Sequence, residues 1–436
     1  VNQEKFSHMT IKNNPLKIAI IGSGIAGNTI AYHLHWHHDI TVYEAENHIG
    51  GHTHTHTIHH EGKDYQVDTG FIVFNDRTYP NFIALLDELK VAWQPSAMSF
   101  SVHCEKTGLE YNGTTLNHLF AQRSNLFKPY FYQMIRDILR FNKSALELLE
   151  AGSEIKLGDY LRAGRYCQKF IDYYIIPMGS AIWSTDAVQM LDFPARFFVR
   201  FFHHHGMLTV NNRPQWRTIT NGSASYVNAL TEPFKHRIQL KTPIESVRRT
   251  ENSVYVKPKH GEEIAYDYVF FACHSDQALK ILSDQTLAET EILSAIPFQE
   301  NSIYLHHDAT LMPKRSLAWA AWNYHVTKQP LNRVAVTYNM NILQNLQSRE
   351  PLLVTLNHVG GINPAKVIKR LTYTHPVYTL AGAAAQARHA EISGKNRTGY
   401  AGAYWRNGFH EDGVVSALEA LKHFENAIKS GLHNAQ

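Results

Sequence analysis

The sequence predicts an α/β fold in which two domains are interleaved along one chain. A strand, a glycine-rich turn and a helix follow one another near the N-terminus, and extended apolar segments alternate with helical ones over much of the remainder. The length of 436 residues exceeds that of most single domains. With 44% hydrophobic and 18% charged residues, the composition is that of a folded globular protein and excludes a disordered or fibrous chain.

The first predicted element is a strand that leads into a glycine turn. Residues 18–21 form a continuous apolar run, which is typical of a strand buried on both faces. Residues 22–27, GSGIAG, match GxGxxG, whose glycines permit a tight turn, the approach of a pyrophosphate and close helix packing. A second β-branched run at residues 40–43 ends in Glu44, an acid suited to hydrogen-bond an adenosine ribose. This spacing predicts a Rossmann-type dinucleotide-binding domain.

The middle of the chain alternates between the two element types. Residues 78–210 are largely helical by their apolar period. Three strands with turns between them are predicted in RIQLKTPIESVRR, SVYVKPK and YDYVFFAC. Four more are predicted in SIYLHHD, AWAAWNYH, RVAVTYNM and LLVTLNH.

The last predicted element is a long helix preceded by glycines. Gly402, Gly408 and Gly413 permit close backbone approach, and apolar spacing predicts a helix over residues 414–429. A helix N-terminus can stabilise negative charge on a bound ligand. Taken alone, the segment also fits an ordinary capped helix with Asp412 as its N-cap. The N-terminal motif favours a ligand-binding role.

Several stretches resemble the flavin-containing amine oxidoreductase superfamily, which includes monoamine oxidases, protoporphyrinogen oxidase and phytoene-type desaturases. They include EAENHIGGHTHT, DTGFIVFNDRTYPNFIALL and GAYWRNGFHEDGVVSAL, and the sequence looks like a bacterial branch of FAD-dependent oxidoreductases over about residues 15–425. The resemblance implies a Rossmann-type FAD-binding domain interleaved with a substrate domain of mixed sheet and helices. The FAD-binding domain would comprise residues 15–75, 212–283 and 391–430, and the substrate domain residues 76–211 and 284–390.

Motif and resemblance together assign residues to FAD. The arginine that usually follows the second glycine pair in the family is His52 here. Non-covalent binding is expected, because no Ser-Cys signature accompanies the C-terminal motif. The assigned residues are Gly22, Ser23, Gly24, Ile25, Ala26, Gly27, Glu44, Ala45, Gly50, Gly51, His52, Asp68, Thr69, Gly70, Val247, Ala272, Gly402, Ala403, His410, Glu411, Asp412, Gly413 and Val414.

The substrate side is less specific. A second GxGxxG is absent from the sequence, so the substrate is expected to reduce the flavin and oxygen or another acceptor to reoxidise it. No general base is identified. Phe409 occupies a position that is tyrosine in monoamine oxidases, which weakens an amine substrate. Aromatic candidates for the substrate wall, each of which could equally be packed core, are Trp183, Tyr378, Tyr404, Trp405 and Phe409.

Two stretches combine aromatic and basic side chains. Residues 123–143 carry five basic residues against one aspartate, and residues 193–202 carry five phenylalanines with two arginines. They fit amphipathic helices packed into the substrate domain or a surface that docks on anionic lipid. The leading hypothesis is dehydrogenation or desaturation of an apolar, lipid-like substrate. Alternatives are an amine oxidase that releases imine and hydrogen peroxide, and a non-catalytic flavin-binding protein.

The charge, cysteine and histidine content of the sequence limit the partners, metals and cellular location that can be expected. A net charge of +4 is too small to indicate a nucleic-acid binder. Three cysteines without a CxxC pair favour a reducing cytoplasm, with peripheral contact at the inner membrane face as a further option. His52, His54 and His56 share spacing that could ligate a metal, but hydrogen-bonding roles are favoured and no metal site is predicted. The oligomeric state is left open.

Overall fold

The structure, a computed structural model, describes residues 15–150, 155–209, 213–329, 331 and 333–430. Helices and strands are mixed throughout, which confirms the predicted α/β class. The first half of the chain contains β1 Lys17–Ile21, α1 Ile25–Leu34, β2 Asp39–Tyr43, β3 Thr55–His60, β4 Lys63–Asp68, β5 Val73–Asn75, α2 Pro80–Glu88, β6 Trp93–Pro95, β7 Phe100–Cys104, β8 Leu109–Asn112, α3 Leu116–Leu119, α4 Pro129–Ser144, α5 Glu147–Glu150, α6 Leu157–Ala163, α7 Gln168–Phe170, α8 Ile176–Trp183, α9 Ala187–Asp192 and α10 Ala195–His204. The second half contains β9 Trp216–Ile219, α11 Ala224–Thr231, β10 Ile238–Gln239, β11 Ile244–Arg249, β12 Val254–Pro258, β13 Ile264–Tyr266, β14 Tyr268–Phe271, α12 Ser275–Ile281, α13 Leu287–Ser294, β15 Phe298–His306, β16 Trp322–Val326, β17 Val336–Asn339, α14 Met340–Leu343, β18 Leu353–Leu356, β19 Val367–Pro376, α15 Leu380–Ala387, α16 His389–Ile392, β20 Thr398–Tyr400 and α17 His410–Lys429.

A five-stranded parallel sheet forms one layer of the molecule. Its strand order is β10-β2-β1-β14-β20, and every neighbouring pair runs parallel. Ile18 and Ile20 pack into the core that includes α1 and α17. Ala19 and Ile21 pack into the core shared with β11–β13 and α12. Both faces of β1 are therefore buried, as its continuous apolar run predicts.

A seven-stranded sheet forms the second large layer. Its order is β19-β15-β18-β17-β16-β7-β8, with only the β16–β7 pair parallel. Helices α4–α10 pack the largest apolar core against it. The two sheets draw on alternating stretches of chain, in the way that the resemblance implies. The division into domains stays a prediction, and its boundary between residues 211 and 212 lies outside the described residues.

Two elements differ from their prediction. Residues 78–210 contain the strands β6, β7 and β8 in addition to helices. The C-terminal helix begins at His410 rather than at residue 414. Asp412 lies inside its first turn instead of at the N-cap, because its carboxylate accepts a hydrogen bond from the Phe409 amide at 3.0 Å and so closes that turn. Burial raises the pKa of Asp412 to about 6.

A row of polar side chains crosses the seven-stranded sheet. The Asp308 amide donates to Nδ1 of His306 at 3.0 Å. Nε2 of His306 lies 2.8 Å from Oγ1 of Thr355, which lies 2.7 Å from Oγ1 of Thr337. Nε2 of His325 lies 2.9 Å from the same Thr337 oxygen. Burial lowers the pKa of His306 to about 4 and that of His325 to about 3, so both rings are neutral at pH 7. Side chains thus join β15, β18, β17 and β16 within the core.

A buried ion pair joins β11 to α13. The guanidinium of Arg249 donates to both carboxylate oxygens of Glu289, at 2.5 and 2.8 Å, and the two side chains are 3% and 2% exposed. Tyr400 also donates to Glu289 at 2.8 Å, and Nε of Arg249 donates to Asp284 at 3.0 Å. Full hydrogen bonding of this kind is what makes a buried charge pair tolerable.

Candidate functional site

The glycine turn after β1 has one open side and one closed side. Gly22 has a φ of +107°, and a methyl group there would lie 2.7 Å from the carbonyl oxygen of Ala272. A methyl group on Gly24 would instead meet no other atom within 4 Å. Gly24 also forms a backbone bridge with Gly50, which places the second glycine pair beside the turn. The open side fits the close approach of a phosphate to backbone N–H groups at the start of α1.

Glu44 lies beside this turn with its carboxylate already held in place. One oxygen accepts hydrogen bonds from the amide and hydroxyl of Ser23, at 2.9 and 2.5 Å, and the other accepts from the Glu46 amide at 2.9 Å. The side chain is buried, whereas Ala45 next to it is exposed. A carboxylate offers about four acceptor positions, so it can still accept from a ribose hydroxyl.

The middle segment reaches Glu44 through Thr242, and the assignment of Val247 to FAD stays a prediction. The Thr242 amide donates to the Glu44 carbonyl at 2.8 Å. Val247 is fully buried, and its carbonyl already accepts from the amide and hydroxyl of Ser283 at 2.9 and 3.1 Å. Ile244, which is half-buried, lies between Thr242 and Val247. No local sequence signal distinguishes Thr242, because its partner is about two hundred positions away.

His52, which stands where the family has arginine, lies in a cluster of rings. Its ring centre is 5.7 Å from that of His274, 5.2 Å from Tyr373 and 5.5 Å from His375. Burial, reinforced by His274, lowers the pKa of His52 to about 4. The ring is therefore neutral at pH 7 and does not supply the permanent charge of an arginine. His274, Tyr373 and His375 were not identified from the sequence.

The buried side chain of Asp68 connects three segments of the chain through hydrogen bonds. Its buried carboxylate accepts hydrogen bonds from Thr55 at 2.5 Å, from the Ser223 amide at 3.0 Å and from Gln344 at 3.0 Å. Burial raises the pKa of Asp68 to about 6. These bonds connect β3, α11 and the loop after α14, and so the Asp68 side chain positions the backbone of Thr69 and Gly70. The Thr69 hydroxyl bonds Tyr373, and Gly70 packs against the His52 carbonyl.

The side chains that open α17 serve two purposes. Glu411 caps α2 by accepting from the amides of Asn81 and Phe82 at 3.2 and 2.8 Å. His410 stacks on Phe82 with ring centres 4.4 Å apart, and burial lowers its pKa to about 3. Glu411 thus uses its side chain to anchor the helix, whereas Nε2 of His410 is a buried atom with no hydrogen-bond partner among the described residues.

The beginnings of α1 and α17 lie side by side. A methyl group on Gly413 would lie 2.5 Å from Ile25 and 3.9 Å from the Ala26 amide. Val414 packs with Ile25 in the same apolar cluster. The stretch before α17 is fixed by the Gly402 amide, which donates to Ser416 at 2.9 Å, and Ala403 follows it in a short helical turn. The two ends of the described chain therefore bring two helix N-termini to one place.

The predicted substrate-wall residues fall into two groups. Trp183, Tyr378 and Phe409 belong to the large core beside the seven-stranded sheet, where Trp183 and Tyr378 have ring centres 6.3 Å apart. Tyr404 and Trp405 lie in the core beneath the five-stranded sheet instead. The split arises because the turn after β20, the edge strand of the five-stranded sheet, packs into the core of that sheet, whereas Phe409 lies further on at the start of α17.

An open glycine turn, a buried acid at the end of β2 and paired helix N-termini define a protein of the Rossmann dinucleotide-binding class. The family model for flavin containing amine oxidoreductases matches residues 25–307. The chain belongs to that family, which confirms the resemblance seen in the sequence. It is accordingly an oxidoreductase with a flavin cofactor. Among curated proteins, no relative matches the sequence.

Solved structures with the same fold include enzymes that act on different substrates. Cyclohexylamine oxidase from Brevibacterium oxydans IH-35A has a TM-score of 0.68 at 12% identity, over 95% of this chain and 100% of that one. A conjugated-linoleic-acid-producing fatty acid isomerase from P. acnes has a TM-score of 0.69 at 15% identity, over 95% and 100%. Putrescine oxidase bound to putrescine has a TM-score of 0.65 at 14% identity, over 94% and 99%.

The described residues fit a flavin nucleotide. The start of α1 and the bare backbone at Gly24 would hold phosphate, Glu44 would accept from a hydroxyl, and the start of α17 would present its N–H groups to a negatively charged ring edge. When bound, a flavin takes up the two electrons that a substrate loses. Within the described residues, no helix has both the length and the apolar character needed to cross a bilayer.

Proposed function

We propose that the protein is an FAD-dependent oxidoreductase that dehydrogenates or desaturates an apolar, lipid-like substrate. The substrate would lose a hydride from one C–H bond to the cofactor and a proton from the neighbouring carbon to solvent, which leaves a double bond. Oxygen or another electron acceptor would then restore the cofactor. The observation that carries the proposal is a cluster of aromatic side chains that begins at the first turn of α17.

The proposal of FAD, held without a covalent bond, rests on two features. Glu44 is placed for the ribose of an adenosine, which FAD has and FMN lacks. The cysteine nearest to the glycine turn is Cys273, whose backbone amide would lie 3.1 Å from a methyl group on Gly22. Burial raises the pKa of the Cys273 thiol to about 12, so it is not a nucleophile at pH 7.

The aromatic cluster favours an apolar substrate with a polar end. Phe197 and Tyr378 have ring centres 5.0 Å apart, and Phe201 and Phe409 have ring centres 5.1 Å apart. Within the described part of the chain, the buried Tyr378 hydroxyl and the Trp183 indole N–H have no hydrogen-bond partner. Two unpaired donors among aromatic rings suit an acyl chain that ends in a carboxyl or carbonyl oxygen. The carboxylate of Asp412 acts on Tyr378 from the start of α17, but it is already held by hydrogen bonds from the Phe409 amide and the Asn407 side chain.

Amine oxidation is the second candidate, because amine oxidases share this fold. The test is anaerobic mixing of the purified flavoprotein with a panel of saturated and unsaturated acyl chains and a panel of amines, followed by loss of the absorbance of oxidised flavin. We expect acyl chains to bleach the flavin and amines to leave it oxidised. Rapid amine turnover with peroxide release would contradict the proposed substrate. No bleaching by either panel or by a metabolite extract would favour a non-catalytic protein.

The variant Tyr378→Phe tests whether the Tyr378 hydroxyl binds the substrate. Loss of one hydrogen bond to a charged head group is worth about 1.5 to 3 kcal/mol, so we expect KM for the acyl substrate to rise ~10- to 100-fold. Tyr160→Phe is the matched control, since Tyr160 packs against the same core from α6. Equal KM values for the two variants would remove the hydroxyl from substrate binding.

We also propose that the protein reaches its substrate by docking on an anionic membrane. Tyr132, Arg136, Leu139 and Lys143 share the exposed face of α4, where Tyr132 and Leu139 are 48% and 53% exposed. Phe127, just before this helix, is 86% exposed, which is unusual for so large an apolar side chain. Alternating basic and apolar groups on one face suit a surface of negatively charged lipid head groups.

Sedimentation with vesicles tests the docking surface. We expect Phe127→Asp to reduce binding to vesicles rich in anionic lipid by ~10-fold or more, because it removes apolar insertion and adds a like charge. Leu287→Asp is the matched control, since Leu287 is 85% exposed on α13 outside this face. Equal binding of both variants, or wild-type binding unaffected by the anionic lipid content, would contradict docking through α4.

A further inference from the structure

Three side chains with metal-binding atoms converge away from the glycine turn. His60 ends β3, His307 follows β15, and Glu350 lies in the loop before β18. One atom from each, an imidazole nitrogen or a carboxylate oxygen, lies within 4.8 Å of the other two. No second group of three histidine, cysteine or acidic side chains meets this condition in the described ranges. His52, His54 and His56 do not form such a group.

The spacing of these atoms is close to that around a zinc ion. Oε2 of Glu350 lies 2.7 Å from Nδ1 of His307 and 3.5 Å from Nε2 of His60. Tetrahedral ligands at the usual zinc distances of 2.0–2.1 Å are separated from one another by about 3.3 Å. Adjustments of less than about 1 Å between the carboxylate and each ring therefore suffice to form the site.

The two nitrogens come close to carboxylate oxygens but make no hydrogen bonds to any described residue. Nε2 of His60 and Nδ1 of His307 are buried atoms, and neither has a hydrogen bond within the described part of the chain. The short approach of Glu350 to His307 lacks hydrogen-bond geometry. Nitrogen and oxygen atoms that crowd together without a shared hydrogen are characteristic of ligands arranged around a cation. Two imidazoles and a carboxylate favour zinc over calcium or magnesium, which prefer oxygen ligands alone.

Glu61 holds the loop that carries Glu350 in place before any ion binds. Glu61 follows His60 in the β3–β4 turn with a φ of +52°. Its carboxylate accepts from the amides of Arg349 and Glu350, both at 2.9 Å, and so fixes the loop that carries Glu350. Oε1 of Glu61 also lies 3.7 Å from Nε2 of His60. A fourth ligand is thus available from Glu61 or from water.

We propose that His60, His307 and Glu350 bind one zinc ion, with Glu61 or water completing a tetrahedron. The ion would fasten the β3–β4 hairpin to the seven-stranded sheet. Its role is structural, because the ligands lie at the turn end of the β3–β4 hairpin, whereas Asp68 and the neighbouring Thr69 lie at the opposite end. The proposal depends neither on the flavin nor on the substrate.

Metal titration of the purified flavoprotein, after removal of metals by chelator, tests the site. We expect one zinc per chain by elemental analysis, a rise in Tm on adding zinc, and with cobalt the visible absorption bands of a tetrahedral site. His60→Gln and His307→Gln should each lower zinc affinity by at least ~10- to 100-fold. His59→Gln is the matched control, since His59 is on the same hairpin but its side chain is 73% exposed and pairs with Asp64.

The results of this titration either support or overturn the proposed zinc site. Loss of the tight zinc and of the Tm rise in both variants, with both retained in His59→Gln, supports the site. Unchanged zinc affinity in His60→Gln or His307→Gln, or equal losses in His59→Gln, overturns it and assigns binding to other histidines. Flavin absorbance and circular dichroism confirm that each variant is folded. If a histidine variant fails to fold, Glu350→Gln provides the same comparison from an exposed loop.

Discussion

Replacing Gly24 with alanine will weaken binding of FAD at least ~100-fold while leaving the fold intact. Gly24 has a φ of −68°, which alanine adopts without strain, and its added methyl group meets no protein atom within 4 Å. That space is where a phosphate would approach the N–H groups of α1. The loss corresponds to two charge-assisted hydrogen bonds at about 1.5 kcal/mol each or more.

Titration of the flavin-free protein with FAD, alongside the Tm of that protein, checks this prediction. Gly113→Ala is the control for the substitution itself, because its methyl group also meets only ordinary contacts, the nearest at 3.9 Å. Gly22→Ala provides the contrast. It combines a φ of +107° with a clash against Ala272, so we expect it to lose both FAD binding and stability. Wild-type affinity in Gly24→Ala would place the phosphate elsewhere.

Replacing Glu289 with glutamine will lower the free energy of unfolding by about 3 to 5 kcal/mol, because it removes the buried counter-charge of the Arg249 guanidinium and leaves only the partly exposed carboxylate of Asp284. Arg249 opposes the effect of burial and holds the pKa of Glu289 below its usual range, so the carboxylate is ionised at pH 7. Chemical denaturation followed by circular dichroism gives the measurement.

An exposed pair on the neighbouring strands provides the control. Glu245 and Lys257 lie 2.9 Å apart, with side chains 50% and 45% exposed. Since exposed pairs contribute at most about 1 kcal/mol, Glu245→Gln should change the free energy of unfolding little. Equal effects of Glu289→Gln and Glu245→Gln would show that the buried pair contributes no more than a surface one.

Contacts between near neighbours could be predicted from the sequence. The strand, the glycine turn, α1 and Glu44 are close together along the chain, and each has a residue type that its position requires. The flavin family was indicated by the resemblance of several stretches, including those beside this motif and at the C-terminal helix. The paired helix starts at Ile25 and Gly413 agree with that reasoning although they are nearly four hundred residues apart.

Contacts that depend on packing between distant segments could not be predicted. Nothing around Glu411 indicates that it caps α2, and nothing around Tyr404 indicates that it packs under the other sheet from Phe409. The zinc ligands proposed here come from three segments without a common spacing. Side-chain roles of this kind are set by the tertiary structure and carry no local pattern.

The polar row through the seven-stranded sheet has a direction. Because the Asp308 amide donates to Nδ1 of His306, the ring must carry its hydrogen on Nε2 and give it to Thr355. The Thr355 hydroxyl accepts that hydrogen, and its own hydrogen can in turn be given to Thr337, whose hydroxyl can donate to His325. One backbone amide at the sheet's margin thereby fixes the tautomer of His306, and an extra proton on that ring would break the first bond of the row.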